Sequence, residues 1–335
     1  MIELAQNQLV FHFPEIHEDA RCTVEFQRTL RIPDDNREYA LPPGLGRFPI
    51  CHVDDHKNKV PDDWVTRGGV FLPMYQAEAL WINFSGSYPF ALKIAAGKIN
   101  AVSGESWSNE LSQDEQDYVV IPGQPWLDGF SVDKGKIRQF VAMPLGEGYT
   151  AEEQITGTAE HGGIQVIAYP MKAEAYNAYI EARGRSGWHP GDLIDVDDIN
   201  NYEMAVEEMG LAPGGLMRQE IYEDPFGKDT WDTSTYSRCF IHIVNSMQYH
   251  DIVGEYPPHH PPSAADYTNA GLPWFDYYDA ELKALPGSET LAGLDSVAAK
   301  GVKKNEQPLD DNQSLNISNV NVIKADAHRV REWEG

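Results

Sequence analysis

A chain of 335 residues with 52 acidic and 26 basic side chains has a formal charge of −26, so it repels nucleic-acid phosphates and anionic bilayer surfaces alike. Hydrophobic residues make up 41% of it, enough for a sizeable core in one large domain or two ordinary ones. No window approaches the roughly 18 consecutive apolar residues of a spanning helix, which excludes helical membrane insertion.

A membrane β-barrel would need even, alternating strands of about ten residues, and the carboxyl half does not supply them. The opening MIELAQNQLVFHFPEIHED lacks the basic start and long apolar stretch of a secretory leader. Cys22, Cys51 and Cys239 are odd in number and far apart, which fits a reducing compartment. We expect a soluble, cytoplasmic protein whose sequons at Asn83 and Asn316 carry no sugar.

In chain order, residues 22–32 alternate well. Cys22, Val24, Phe26, Leu30 and Ile32 point one way and polar residues the other, as in a half-buried antiparallel strand. Residues 41–49 form a Pro/Gly loop. Strands are expected at 79–84 and 90–94, then a turn through Gly97-Lys98 into 99–102. Residues 118–121 form a short strand stopped by Pro122-Gly123. Residues 127–132 and 137–143 flank a polar Gly-containing loop and read as a hairpin. Gly-Lys-Ile follows both turns, a faint hint of duplication. The polar insertion 146–163 carries a capping box at Thr150 and Glu153, and such a long insertion usually binds or covers something. Residues 164–169 are another strand.

After Pro170 the period lengthens to that of a helix. Helices are expected at 172–183, 198–209, 236–253, 263–269 and 273–285, with a strand possible at 240–244. Residues 218–222 suit a strand. Residues 300–316 read as a linker, and 315–323 regain strand character.

The words LPMYQAEALW (72–81) and GKINAVSGE (97–105), the stretch 117–172, the segment 239–254 and GLPWFDYYD (271–279) resemble a widespread family of uncharacterised microbial proteins. The resemblance covers most of residues 22–279. Its members are often labelled integral membrane proteins and have no established activity. It therefore implies no catalytic residue, and the composition above contradicts the label.

Several clusters invite chemistry, each beside a plainer role. Asp192, Asp195, Asp197 and Asp198 can hold calcium, although acids before a helix are ordinary caps. His52 and His56 would meet on a helix face and ligate zinc, with Asp54 and Asp55 between them, but flanking prolines favour a solvated turn. His161 suits general base work beside Glu152, Glu153 and Glu160, against the default of a surface loop. Cys239 and His242 would meet on a helix as a nucleophile pair, although Cys beside Phe240 and Ile241 is usually inert core. His259-His260 in a proline run binds a partner or merely links two helices. Trp126, Asp128 and Tyr149 suit a sugar or small ligand, while the scattered tryptophans, Trp188 among them, also serve as core fillers. No nucleotide, nucleophile-elbow or kinase motif appears, and no cofactor is expected.

The expected fold is α+β: an antiparallel β-sandwich or barrel-like sheet system in the N-terminal half, covered by helices from the C-terminal half. Residues 1–286 form one domain, β-rich to 170 and helix-rich beyond, and 287–335 form a polar tail packed on it or on a neighbouring subunit. The expected function is a non-catalytic binding or self-associating protein. An enzyme using the 146–163 insertion and a carbohydrate binder are the alternatives.

Overall fold

The computed structural model describes residues 1–112, 114–183, 207–279 and 282–324. Its centre is a branched sheet of seventeen strands. The spine runs, strand to neighbouring strand, through Gln8–His12, Arg21–Thr29, Ala79–Ser85, Lys136–Pro144, Glu208–Arg218, Ser237–Asn245, Ile164–Pro170, Phe90–Ala96 and Val119–Ile121. Every pairing along that spine is antiparallel. The side branches Glu38–Tyr39 and Val70–Met74 join it in parallel. Among the described residues the ladders never return on themselves, so no closed barrel forms.

The two-residue rhythm explains the sheet. Residues 22–32 form the expected strand at Arg21–Thr29, with Cys22, Val24 and Phe26 all buried. The Gly129–Asp133 and Lys136–Pro144 hairpin forms as well. Register shifts put an extra residue into Gly129–Asp133 after Ser131 and another into Glu208–Arg218 opposite Arg138 to Phe140, and each bends its strand. The two Gly-Lys-Ile words are not equivalent. Gly97 is the first loop residue between Ala96 and Ile99, whereas Gly135 is the second between Asp133 and Lys136.

Four expectations are corrected. Helices are interspersed, not confined to the second half: Asp62–Arg67 and Ala151–Thr156 lie in the first. Residues 236–253 divide into the strand Ser237–Asn245 and the helix Ser246–Val253. All six residues 239–244 are buried, and a strand covered on both faces has no alternation to distinguish it from a buried helix. Residues 273–285 do not form a helix. Trp274–Tyr278 is a strand paired in parallel with Val320–Lys324, as its aromatic content favours. Residue 209, expected to end a helix, lies in the strand Glu208–Arg218, and the rest of the 198–209 expectation falls outside the described residues.

The helix Val297–Lys304 runs into the segment 300–316 expected to be a linker. Ser296 Oγ accepts the Ala299 N–H at its start, and Asn305 closes it in a left-handed conformation. Leu291 and Leu294 join the main core, and Leu315, Ile317 and Val320 pack partly buried against it, while Val322 is 60% exposed. Among the described residues no helix is long and apolar enough to cross a membrane.

Candidate ligand-binding cleft

Residues 297–312 arch across the sheet and roof a cavity of about 290 Å³. The floor comes from Val141 and Met143 on one strand and from Gly214 and Gly215 on the next. These two glycines allow the strand to lie close against its surroundings: a Cβ on Gly214 would stand 2.6 Å from Val141 Cγ2, and one on Gly215 2.4 Å from the Pro33 carbonyl oxygen. The roof supplies Val297, Ala298, Val302, Pro308 and Leu309. Arg31, Gln76, Tyr149 and Asn312 place polar groups around this apolar interior, the pattern of small-molecule sites in general.

The arch is fastened mainly along its edges. Asp34 Oδ2 accepts the Ala298 N–H at 2.8 Å, and Asp34 N–H donates to Asn312 Oδ1 at 2.6 Å. Arg31 pairs with Asp311. Ser314 Oγ donates to Asp35 at 2.6 Å. On the opposite side the 146–163 insertion acts as a buttress. Gln154 exchanges hydrogen bonds with the Asp295 backbone at 3.0 and 2.9 Å. Lys304 reaches Glu147 at 3.0 Å and lies 4.6 Å over the Tyr149 ring, and Tyr149 donates to Glu306. Burial, then the Glu306 carboxylate, pushes the Tyr149 hydroxyl up to about 12.

A second cavity of about 210 Å³ adjoins the first and shares Arg31, Gln76, Ala77 and Leu309 with it. Its outer wall is the proline run. His260 stacks on Tyr75 with ring centroids 3.6 Å apart, and Arg28 donates to the His259 carbonyl at 2.6 Å. Arg28 also pairs with buried Glu78 at 2.6 Å. His260 therefore serves as a wall of the second cavity, while His259 is held by its carbonyl.

Glu152 and His161 come together, with Nδ1 3.2 Å from Oε1. Glu152 Oε2 also accepts the backbone N–H groups of His161 and Gly162 at 3.2 and 3.1 Å, so it ties the loop. Burial, with Lys98 and Arg67 nearby, brings His161 down to about 4. Glu153 is occupied by the capping box with Thr150 and by the N–H groups of Gly146 and Gly148 at 2.9 and 2.8 Å. The Glu160 side chain is 59% exposed. Trp126 is half-buried between Trp81 and Tyr277, not an open platform. Asp128 is buried and accepts from Gln219 Nε2 at 2.6 Å.

Cys239 and His242 do not meet as a nucleophile pair. They lie in a strand, where an odd spacing sends side chains to opposite faces. Burial pushes Cys239 up to about 12. His242 is stacked between Trp64 and Phe240, each 4.5 Å away. His52 precedes a 3-10 turn, Val53–His56, not an α-helix. Among the described residues no group of three or more His, Cys, Asp or Glu side chains can hold a metal ion. Asp192, Asp195, Asp197 and Asp198 lie outside the described residues, as does Trp188.

Of the cleft's own residues, sequence reasoning singled out Tyr149 and His260. The rest are unremarkable letters brought together by the arch. The one available signal was the small-residue word VAAKGVKK after Ser296, a capped amphipathic turn at the start of an apparent linker. No family model, curated protein or solved structure matches this chain.

Proposed function

We propose that this chain is a non-catalytic binding protein that holds a small, largely apolar molecule in the cleft beneath residues 297–312. The observation that carries the reading is the cavity itself, about 290 Å³ of apolar-lined space under a roof secured mainly at its rims. That is roughly ten water volumes, enough for a short amphiphile. The three free cysteines support a reducing compartment and hence the cytoplasm. Exposed Met247 and Tyr256 offer apolar surface for self-association. Membership in the microbial family that the motifs resemble belongs to the same proposal.

Gly301 provides the test. It lies within the roof helix, and a Cβ there would meet Tyr149 Oη at 3.6 Å and Glu306 Cβ at 4.0 Å, both ordinary contacts. Gly301→Leu therefore projects a side chain into the cavity and replaces a poor helix residue with a good one. By titration calorimetry the variant should bind 1-octanol at least about tenfold more weakly than wild type, with a midpoint of thermal unfolding no lower. Equal binding by both proteins would remove the cleft as the site.

A further inference from the structure

Arg31 and Asp311 pair where the two cavities meet. Arg31 lines both cavities, whereas Asp311 lines only the smaller. The Arg31 side chain is 11% exposed and that of Asp311 40%. The other acids around the cleft are engaged elsewhere. Asp34 accepts from Ala298 and faces Arg138 at 3.5 Å, Glu306 faces Lys304 at 3.0 Å and accepts from Tyr149, and Glu78 pairs with Arg28. Among the described residues Asp311 is thus the one carboxylate paired with Arg31, and it engages a single nitrogen, Nη2. A guanidinium offers five donors in a planar fork, a shape matched to carboxylates.

We propose that the cleft selects small organic monocarboxylates, and that Asp311 is a built-in competitor for the same guanidinium. The proposal rests on the reading of the cleft as a binding site. The apolar part of the ligand lies along Val141, Met143, Val302 and Leu309, and its carboxylate meets Arg31 from the larger cavity. Arg31 exchanges one carboxylate for another, so its buried charge keeps a partner. Asp311, the more exposed member, enters water at little cost. Its release removes one fastening of the roof, so binding is coupled to loosening of residues 309–312. A cationic ligand fits poorly, because it would have to strip the buried member of the pair of its counter-charge.

Titration calorimetry on the full chain with octanoate and 1-octanol tests this. Wild type should bind octanoate at least about tenfold more tightly than octanol. Arg31→Gln should abolish that preference, bringing the octanoate-to-octanol affinity ratio measured on the variant close to one. Asp311→Asn should tighten octanoate by about tenfold relative to octanol measured on the same variant. Octanol binding without any preference for octanoate, or an unchanged octanoate-to-octanol ratio in Asp311→Asn, would overturn the carboxylate assignment while the cleft stands. If neither compound binds wild type, or Gly301→Leu leaves both affinities intact, the cleft reading itself fails.

Discussion

Asp128 is 3% exposed and held by amide and indole partners, with Gln219 Nε2 2.6 Å from its carboxylate. Burial pushes its carboxyl up to about 7, with hydrogen bonds from Gln219 and Trp126 pulling it partly back. An unfolded chain titrates this group near 3.9, so the folded chain binds the proton more tightly. The resulting stability is complete below about pH 4 and is lost as pH rises through about 7. A shift of that size corresponds to at most about 4 kcal/mol. Asp128→Asn keeps an acceptor for Gln219 and cannot ionise. Urea unfolding at pH 5 and pH 8 should show a stability loss at least about 1 kcal/mol smaller in the variant than in wild type. An equal loss in both would place the titrating group elsewhere. The sequence showed Asp128 two positions from Trp126, which suggested a polar ligand platform. It did not show Gln219, 91 residues away, closing over the carboxylate.

At the scale of elements, legibility follows the range of the interactions that fix each one. The strand at Arg21–Thr29 and the hairpin at Gly129–Asp133 and Lys136–Pro144 are written in local alternation, and the sequence carries them directly. So is the capping box at Thr150 and Glu153, which begins and completes within four residues. The strand Ser237–Asn245 is legible only as an alternative at 240–244, because residues 239–244 are all buried and leave no alternation to read. The strand Trp274–Tyr278 hides because its partner lies at Val320–Lys324. The helix Val297–Lys304 is the extreme case. Ser296 takes one orphan N–H, but the N–H of Ala298 goes to Asp34 across 264 residues. Asp34→Ala removes that distant cap and leaves Arg138 with its Gly214 carbonyl contact at 3.1 Å. Amides of residues 297–304 should exchange about tenfold faster or more, while those of Phe90–Ala96 keep their protection. Unchanged exchange in the helix would mean that apolar contact alone holds the roof, and Asp34 would lose the role given to it here.

For the whole molecule, the charge of −26 sets two salt effects with opposite signs. Excess carboxylates repel one another in the folded state, and salt weakens that repulsion as the screening length falls from about 30 Å at 0.01 M to about 8 Å at 0.15 M. The buried pairs respond little: Lys93 and Asp117 lie 2.6 Å apart with side chains 1% and 4% exposed, and Arg28 with Glu78 is similarly enclosed. The thermal midpoint should therefore rise by at least about 2 °C between roughly 10 and 300 mM sodium chloride. The roof helix, VAAKGVKK, carries three lysines and no acid. It sits in the field of an acidic body and is tied down by surface pairs, with the Lys303 side chain 65% exposed beside Asp295 and that of Glu147 59% exposed beside Lys304. Such pairs are screened by salt. Amide exchange in Val297–Lys304 should thus accelerate over the same salt range in which the midpoint climbs. The two readouts diverge only if the roof is a separately held, electrostatically fastened element. A helix whose protection rises in step with the midpoint would instead be an inseparable part of the core, with no independent opening to admit a ligand.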